Sequence, residues 1–447
     1  MNSSPFNRSA SLPRRDFIAG AVALGATALA EPLTAAPAPP SAGRILGPLL
    51  GHSDETSAMV WMRAVEEGEL TLEVTPEAGG APLFQKQSAS LKDDLCVHWR
   101  ITGLQPGTKY RYRVLRGDQA LAADPGQILS TAPKAGAPVK VRLAISSCAR
   151  EDASSRAVWN RMAAESVEAV VLIGDTPYID STDLKVQTRR HQEFAAVPEY
   201  QALLRSRPCW WTWDDHDFAG NDSSGLAEGK ENSRLVYTRY RPQPAFGDGS
   251  GGIYTGFRRG PVEIFILDTR WFSMTGPSFA SAHQPTMLGA AQWEWLRESL
   301  LQSTAPFKLL ACGVIWDDKE NTESDDWGTY RHELRAIQKF IGEKRIPGVV
   351  LVGGDIHASR VLRYPTTGTV GYDLVQFIAS PIHSSTIPSL NVYNPALIRS
   401  AVEPNVFLRV DVDSTVSPAE LHATLINRNG EQVFSYHLTT DDLKPKA

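Results

Sequence analysis

The sequence predicts a large α/β region, preceded by a small all-β sandwich and a processed leader. Three observations carry this. An arginine pair stands before a short apolar run near the N-terminus. Turn-punctuated strands with two-residue alternation then fill the stretch to about Ser130, and past Pro138 near-continuous apolar runs alternate with helical segments. At 447 residues the chain exceeds one average domain, and its 42% apolar and 21% charged content is that of a folded globular protein. A formal charge of −5 lacks the basic footprint of polyanion binders, so no sequence-specific nucleic-acid partner is expected.

The leader comes first. Arg14-Arg15-Asp16-Phe17-Ile18 precedes an Ala/Gly-rich apolar run from Ala19 to Ala30, broken only by Thr27. That run of ~12 residues falls short of the ~20 needed to span a bilayer, so it reads as a signal segment and predicts no transmembrane anchor in the mature form. Paired arginines before Phe-Ile read as a twin-arginine (Tat) signal, with an ordinary secretory n-region as the alternative. The expected partner is the Tat export machinery and the expected location is periplasmic or extracellular. Ala28-Leu29-Ala30 and Thr34-Ala35-Ala36 are both plausible cleavage sites, giving a signal and processed segment over residues 1–36. Four cysteines, Cys96, Cys148, Cys209 and Cys312, are too few and too scattered for a disulfide scaffold or a zinc knuckle. Cys209 and Cys312 lie in strand-like runs and are expected as buried thiols.

Residues 31 to about 43 are Pro/Ala-rich and read as a linker. The sandwich is assigned to 42–132. Ser57–Arg63 and Glu69–Val74 alternate with a period of two. In Gly103–Val114 a Pro-Gly turn leads into a strand with Tyr110, Tyr112 and Val114 on one face. This stretch resembles the fibronectin-type-III pattern, and also the small β-domain that precedes many secreted phosphatases. The α/β region, the candidate catalytic domain once its strand ends are read, is assigned to 139–430. Strands are read at Val141–Ile145, Val167–Ile173, Cys209–Thr212, Val262–Leu267, Phe307–Val314, Gly348–Val352 and Leu374–Ile378. Helices fit 153–165 (entered at Asp152, with Ser154 as a second candidate cap), 188–206, 289–302 and 329–344.

The residues at the strand ends point to chemistry. The first strand ends in Ser146-Ser147-Cys148, and the second in Gly174-Asp175-Thr176-Pro177-Tyr178. Later strands end in Trp213-Asp214-Asp215-His216-Asp217, Asp268-Thr269-Arg270 and Gly353-Gly354-Asp355-Ile356-His357. Ligands of open α/β sheets bind outside the carboxyl ends of the strands, so these ends form a composite site. Each fragment alone is weak, because an Asp after an apolar run is often only a helix cap or turn former. Thiol, phenol and imidazole suit Fe(III) or Zn, whereas carboxylates suit Ca, Mn or Mg, so the mixture suggests two metals of different character. Asp175 is the natural bridge. Two metals about 3.5–4 Å apart polarise a phosphoryl group and acidify a bound water.

These motifs resemble those of the calcineurin-like metallophosphoesterases, whose pattern runs Asp-x-His, Gly-Asp-x-x-Asp, Gly-Asn-His-Glu/Asp and a final Gly-His-x-His. The chain departs from it consistently, with Ser147-Cys148 first, Tyr178 for the second Asp, Trp213–Asp217 third and Gly354–His357 last. The departures match the alkaline phosphatase D (PhoD) branch over about residues 42–430. The resemblance implies an α/β (α+β) core of two sheets sandwiched and flanked by helices. It implies Cys148, Asp175, Tyr178 and His357 around Fe(3+), with Asp175 bridging to Ca(2+) that Asp215 and Asp355 also hold; Zn and Mn stay open. It implies that His216 contacts phosphate or protonates the leaving oxygen, with Asp217 orienting it, and Arg270 could clamp a phosphate oxygen. Asp214 and Asp215 compete for one ligand role, and spacing does not divide Asp355 and His357 between metals. The superfamily's isolated His between the third and last motifs has no counterpart; Trp316-Asp317-Asp318 stands there.

Plainer roles compete at several positions. Cys148 could be an inert thiol, and Arg270 could simply pair with a carboxylate. His383 either lines the pocket or is structural. Trp210, Trp211 and Trp213 are read as core and pocket wall. The expected function is hydrolysis of phosphate mono- or diesters, of small molecules or phosphorylated polymers, with a phospholipase-D-like diesterase as the near alternative. A non-catalytic phosphate- or carbohydrate-binding exported protein is the alternative of another class. A serine esterase is excluded by the lack of a Gly-x-Ser-x-Gly elbow.

Overall fold

Two mixed sheets lie face to face, and their facing surfaces are apolar because their strands carry branched side chains on both sides. In Lys140–Ser146 the side chains of Val141, Leu143 and Ile145 enter the core between the sheets, while Ala144 joins the core under the flanking helices. Ala169–Ile173 repeats this, with Val171 and Ile173 on one side and Val170 and Leu172 on the other. The computed structural model describes residues 43–249, 251–316 and 325–446.

The first core sheet has six strands in the order Cys209–Thr212, Ala169–Ile173, Lys140–Ser146, Val406–Asp413, Glu420–Asn427 and Gln432–Thr439. The second has seven: Thr255–Arg259, Val262–Ile266, Phe307–Ala311, Val349–Gly353, Leu374–Ile378, Ser359–Tyr364 and Leu397–Ala401. In the first, Cys209–Thr212, Ala169–Ile173 and Lys140–Ser146 run parallel at one end of the sheet, and in the second Val262–Ile266, Phe307–Ala311, Val349–Gly353 and Leu374–Ile378 run parallel along its middle. The expected sandwich of two sheets with flanking helices is therefore present. All the strands read from the sequence are there, some shortened at an end, such as Phe307–Ala311.

The antiparallel margins are fainter in the sequence. Val406–Asp413 buries alternate residues and Gln432–Thr439 does so loosely, half-buried patterns weaker than the continuous runs that mark the parallel strands. The sheet also runs past residue 430. The helix expected over 188–206 is two, Leu184–Ala195 and Pro198–Leu204. Pro198 pushes Val197 out of helical geometry (φ −61°, ψ 117°) and restarts the helix at its own first position. Asp152 caps Ala153–Ala164, its carboxylate accepting from the Ser155 N–H at 2.8 Å.

The N-terminal region is all β. Leu46–Ser53, Ser57–Arg63 and Cys96–Thr102 form one sheet; Leu83–Ala89, Gly68–Pro76, Lys109–Arg116, Gln119–Leu121 and Ile128–Ser130 form another. Tyr110, Tyr112 and Val114 are buried between them on one face, as their alternation predicts. The region rests on the core through polar pins as well as apolar contact. The Trp61 indole donates to the Arg239 carbonyl at 2.7 Å, and the Tyr112 hydroxyl to the Arg205 carbonyl at 2.8 Å. All four cysteines are buried free thiols. No described helix is long and apolar enough to cross a membrane. The arginine pair, the apolar run and both cleavage sites lie outside the described residues, as do Asp317 and Asp318.

Candidate metal centre

Parallel strands all end on the same side, and the turns leaving them bring the sequence-derived residues together. The backbone is unusual here. Cys148, Asp175, Asp355 and His357 all adopt positive φ, 58°, 54°, 68° and 49°. Such conformations cost about 1–3 kcal/mol each and persist where the surroundings over-determine them, most often at functional sites. Gly174 has φ +99°, and a Cβ there would lie 2.5 Å from the Asp214 Cβ, so glycine is required for Asp175 and Asp214 to approach. Gly313 sits equally close, with a Cβ there only 2.5 Å from Asp214 Cγ. The strand end that lacks the superfamily's isolated histidine thus supplies close backbone.

Donor atoms of Cys148, Asp175 and His357 lie within 4.8 Å of one another, as do those of Asp175, Asp215 and His216, and those of Asp214, Asp215 and Asp355. The clusters share Asp175 and Asp215, so they form one continuous patch. The Cys148 thiol lies 3.6 Å from Asp175 Oδ2 and 3.2 Å from the Ser380 hydroxyl. The Tyr178 hydroxyl sits 2.9 Å from His357 Nε2 and 3.0 Å from His383 Nε2. His383 Nδ1 accepts the Ser385 N–H at 3.0 Å, which fixes its tautomer when neutral: Nε2 carries the hydrogen and donates to the Tyr178 oxygen. His383 is thus placed against Tyr178, within the site and not merely in its scaffold.

The electrostatics ask for a cation. Burial, with the Asp215, Asp214, Asp217 and Asp355 carboxylates around it, pushes Asp175 well above the usual carboxylate range. Burial raises Asp214 likewise, against the pull of Arg270. Asp215 goes the other way: burial is outweighed by Arg270, His216 and the Asp222 and His216 N–H groups. Burial, and then the Asp175 charge, lift both the Cys148 thiol and the Tyr178 phenol. Burial, and then the neighbouring His216 and Arg150 side chains, press His357 down to about 4. Asp175 Oδ1, Asp214 Oδ2 and His357 Nδ1 are buried with no hydrogen-bond partner. Buried acceptors left unpaired among like charges fit a site built around positive ions, and the donor set offers both soft and hard ligands.

Two expectations are corrected by geometry. Asp217 does not touch the His216 ring; its carboxylate accepts the Asp214 N–H at 2.5 Å and the Thr176 N–H at 3.3 Å, and burial raises it to about 7. The carboxylate on His216 Nδ1 belongs to Asp180, whose backbone N–H also donates to the His216 carbonyl at 3.0 Å. Arg270 is not open to a phosphate, being 1% exposed. Its guanidinium is spent on Asp214 (Nε to Oδ1, 2.7 Å), Asp325 (2.8 Å) and the Ser223 carbonyl (3.1 Å). Asp268 is structural, accepting from the Trp213 indole and three backbone N–H groups. Trp210, Trp211 and Trp213 are buried, Trp210 stacked on Phe257.

Sequence reasoning missed Asp180, Asp222, Asp325 and Arg150. Asp222 and Asp325 lie with Asp215 in a further acidic group. The Arg150 guanidinium stands 4.5 Å from the Tyr178 ring centre and is exposed. Asp180 and Arg150 each come two residues after a recognised ligand, the one signal that could have raised them.

Comparison with known proteins gives the family and the fold. Residues 143–414 match the PhoD-like phosphatase family, and residues 42–133 match a domain family of unknown function (DUF7800). Alkaline phosphatase D of Bacillus subtilis (strain 168) is 25% identical, covering 77% of this chain and 71% of that one. A solved structure of PhoD superposes with a TM-score of 0.70 at 18% identity, covering 91% of this chain and 94% of that one. The purple acid phosphatase PPD1 from yellow lupin (Lupinus luteus) seeds gives 0.66 at 12% identity, over 89% of this chain and 74% of that one.

Proposed function

The chain belongs to the PhoD-like phosphatase family, and on that premise we propose that it hydrolyses phosphate mono- and diesters at the strand-end centre, outside the cytoplasm. One observation carries the reading: a thiol, a phenol, imidazole and several carboxylates, some with orphaned buried atoms, converge at the ends of both sheets. Cys148, Asp175, Tyr178 and His357 would hold a ferric ion. Asp175, with Asp214, Asp215 and Asp355, would hold calcium, Zn or Mn being the alternatives. Ions there would polarise the phosphoryl oxygens and acidify a water. Asp214 and Asp215 can both serve, since Arg270 takes one Asp214 oxygen and leaves the other unpartnered.

The chain's own groups divide the remaining work. Asp180 holds His216 Nδ1, leaving Nε2 to deliver a proton to the departing oxygen. Arg150 supplies the reachable positive charge for a phosphate oxygen, the role Arg270 is too buried to fill. His383 keeps the Tyr178 oxygen supplied with a hydrogen bond, which favours its ionised form. Residues 42–132 would form the sandwich domain and 139–430 the bulk of the catalytic domain. Arg14 and Arg15 support Tat export.

The test pairs elemental analysis with hydrolysis of a nitrophenyl monoester and its bis-ester, in the wild type and in Cys148→Ala and Asp175→Asn. Both variants should lose metal and activity. Metal content and turnover unchanged in both would overturn the site. A monoester-to-diester ratio far below one would make the enzyme a diesterase.

A further inference from the structure

Far from the strand-end centre, the last β-hairpin carries a second constellation of metal-ligating side chains. We propose that Glu420, His422 and His437 form a surface site for a divalent transition ion of the zinc, nickel or copper kind. The two strands, Glu420–Asn427 and Gln432–Thr439, pair antiparallel, and the register sets His422 directly opposite His437. Residues i and i+2 of a strand share a face, so Glu420 joins them on the same exposed surface. The imidazole rings lie 4.2 Å apart at an interplanar angle of 22°. The Nε2 atoms of both face one carboxylate oxygen, Glu420 Oε2, at 3.2 Å from His422 and 3.9 Å from His437.

Those separations suit one ion. Ligand atoms at about 2.0–2.1 Å from a tetrahedral zinc lie roughly 3.3–3.4 Å apart. The observed 3.2 and 3.9 Å need only small side-chain rotations, and the donors already lie within 4.8 Å of each other. Core packing does not explain the pair, because His422 and His437 are 50% and 45% exposed. Competing charges are occupied. Lys140 reaches Asp413 at 2.8 Å, and Asp411, opposite His422 on its other side, is bonded by Arg142 and Arg409. Two imidazoles with one carboxylate disfavour calcium and magnesium, and the Irving–Williams order places copper, nickel and zinc ahead. Three protein ligands leave at least one coordination position open.

The site is separate from the strand-end centre. His422 aligns through Asp411 with Arg142, four residues before the strand's carboxyl end at Ser146, which at ~3.3 Å per residue is roughly 13 Å along the strand.

Zn(2+) alone is the probe. It is titrated calorimetrically into untagged full-length protein after chelator treatment, beside a His422→Ala/His437→Ala double variant and Glu420→Gln. Wild type should bind one more zinc equivalent than the double variant, while both hydrolyse a nitrophenyl ester equally when loaded at the strand ends. Cu(2+) bound at the additional site should show two nitrogen couplings by electron paramagnetic resonance. Equal zinc stoichiometry in wild type and double variant overturns the proposal. Should the double variant fail to fold by circular dichroism, Glu420→Gln decides: weakened zinc binding supports the site, and unchanged affinity overturns it.

Discussion

Replacing Arg270 with Gln separates a phosphate clamp from a structural counter-charge. The guanidinium is buried between Asp214 and Asp325, with Asp215 beyond. Removing it leaves two or three carboxylates facing one another with no cation. Breaking a buried pair by deleting one partner costs about 3–5 kcal/mol. That is a third or more of the ~5–15 kcal/mol that holds an ordinary domain folded. The loss should appear as a lowered urea midpoint by tryptophan fluorescence, and it should be larger in chelator than with divalent metal, because bound cations offset the same carboxylates. KM for a nitrophenyl ester should change little in the fraction that remains folded. A stability change under about 1 kcal/mol together with a large rise in KM would refute the reasoning and return Arg270 to the substrate.

Asp180→Asn should lower kcat about 10- to 100-fold with little effect on KM, and more for an alkyl ester than for a nitrophenyl ester, whose leaving group needs no proton; equal losses would disprove the His216–Asp180 pairing as a proton donor. His383→Ala removes the donor to the Tyr178 oxygen and should weaken metal retention about 10- to 100-fold, measured by competition with a chelator. Lys308 is buried on a central strand of the second sheet, its ammonium held by the Ala305 carbonyl at 2.7 Å, and burial lowers it to about 8. A lysine depressed in the fold costs stability below its folded value and recovers it as pH rises toward its unfolded one. Wild type should therefore gain stability over Lys308→Met between pH ~8 and ~10, by roughly 1–3 kcal/mol. A pH-independent difference in unfolding midpoint would contradict this.

What the sequence disclosed depends on how each feature is encoded. Parallel strands buried on both faces need unbroken apolar runs, so Ala169–Ile173 and Val349–Gly353 stand out. The polar residues that end such runs inherit that visibility, which is why Cys148, Asp175 and His357 can be grouped from sequence alone. Residues whose role comes from a contact across the fold leave no such mark. Asp180 meets His216 across 36 positions, and Arg270 meets Asp214 across 56. An Asp-Thr-Arg motif looks the same whether its guanidinium faces substrate or is walled in. The antiparallel margin is obscured for another reason: strands such as Gln432–Thr439 are polar on their outer face, like many surface segments. That outer face is where Glu420, His422 and His437 meet.

Cys148, Asp175, Tyr178, Asp214 and Asp215 leave the six-stranded sheet, whereas Asp355 and His357 leave the seven-stranded one. An ion held by Cys148, Asp175 and His357 together, as proposed, would be a rivet through the seam between two plates. Its binding free energy would become part of the work needed to pry the plates apart. The supply of metal would then govern the lifetime of the folded chain along with its turnover, and a stripped molecule would keep its seam by apolar contact and a few bonds such as Trp213 to Asp268 and Arg270 to Asp214, while its acids push outward.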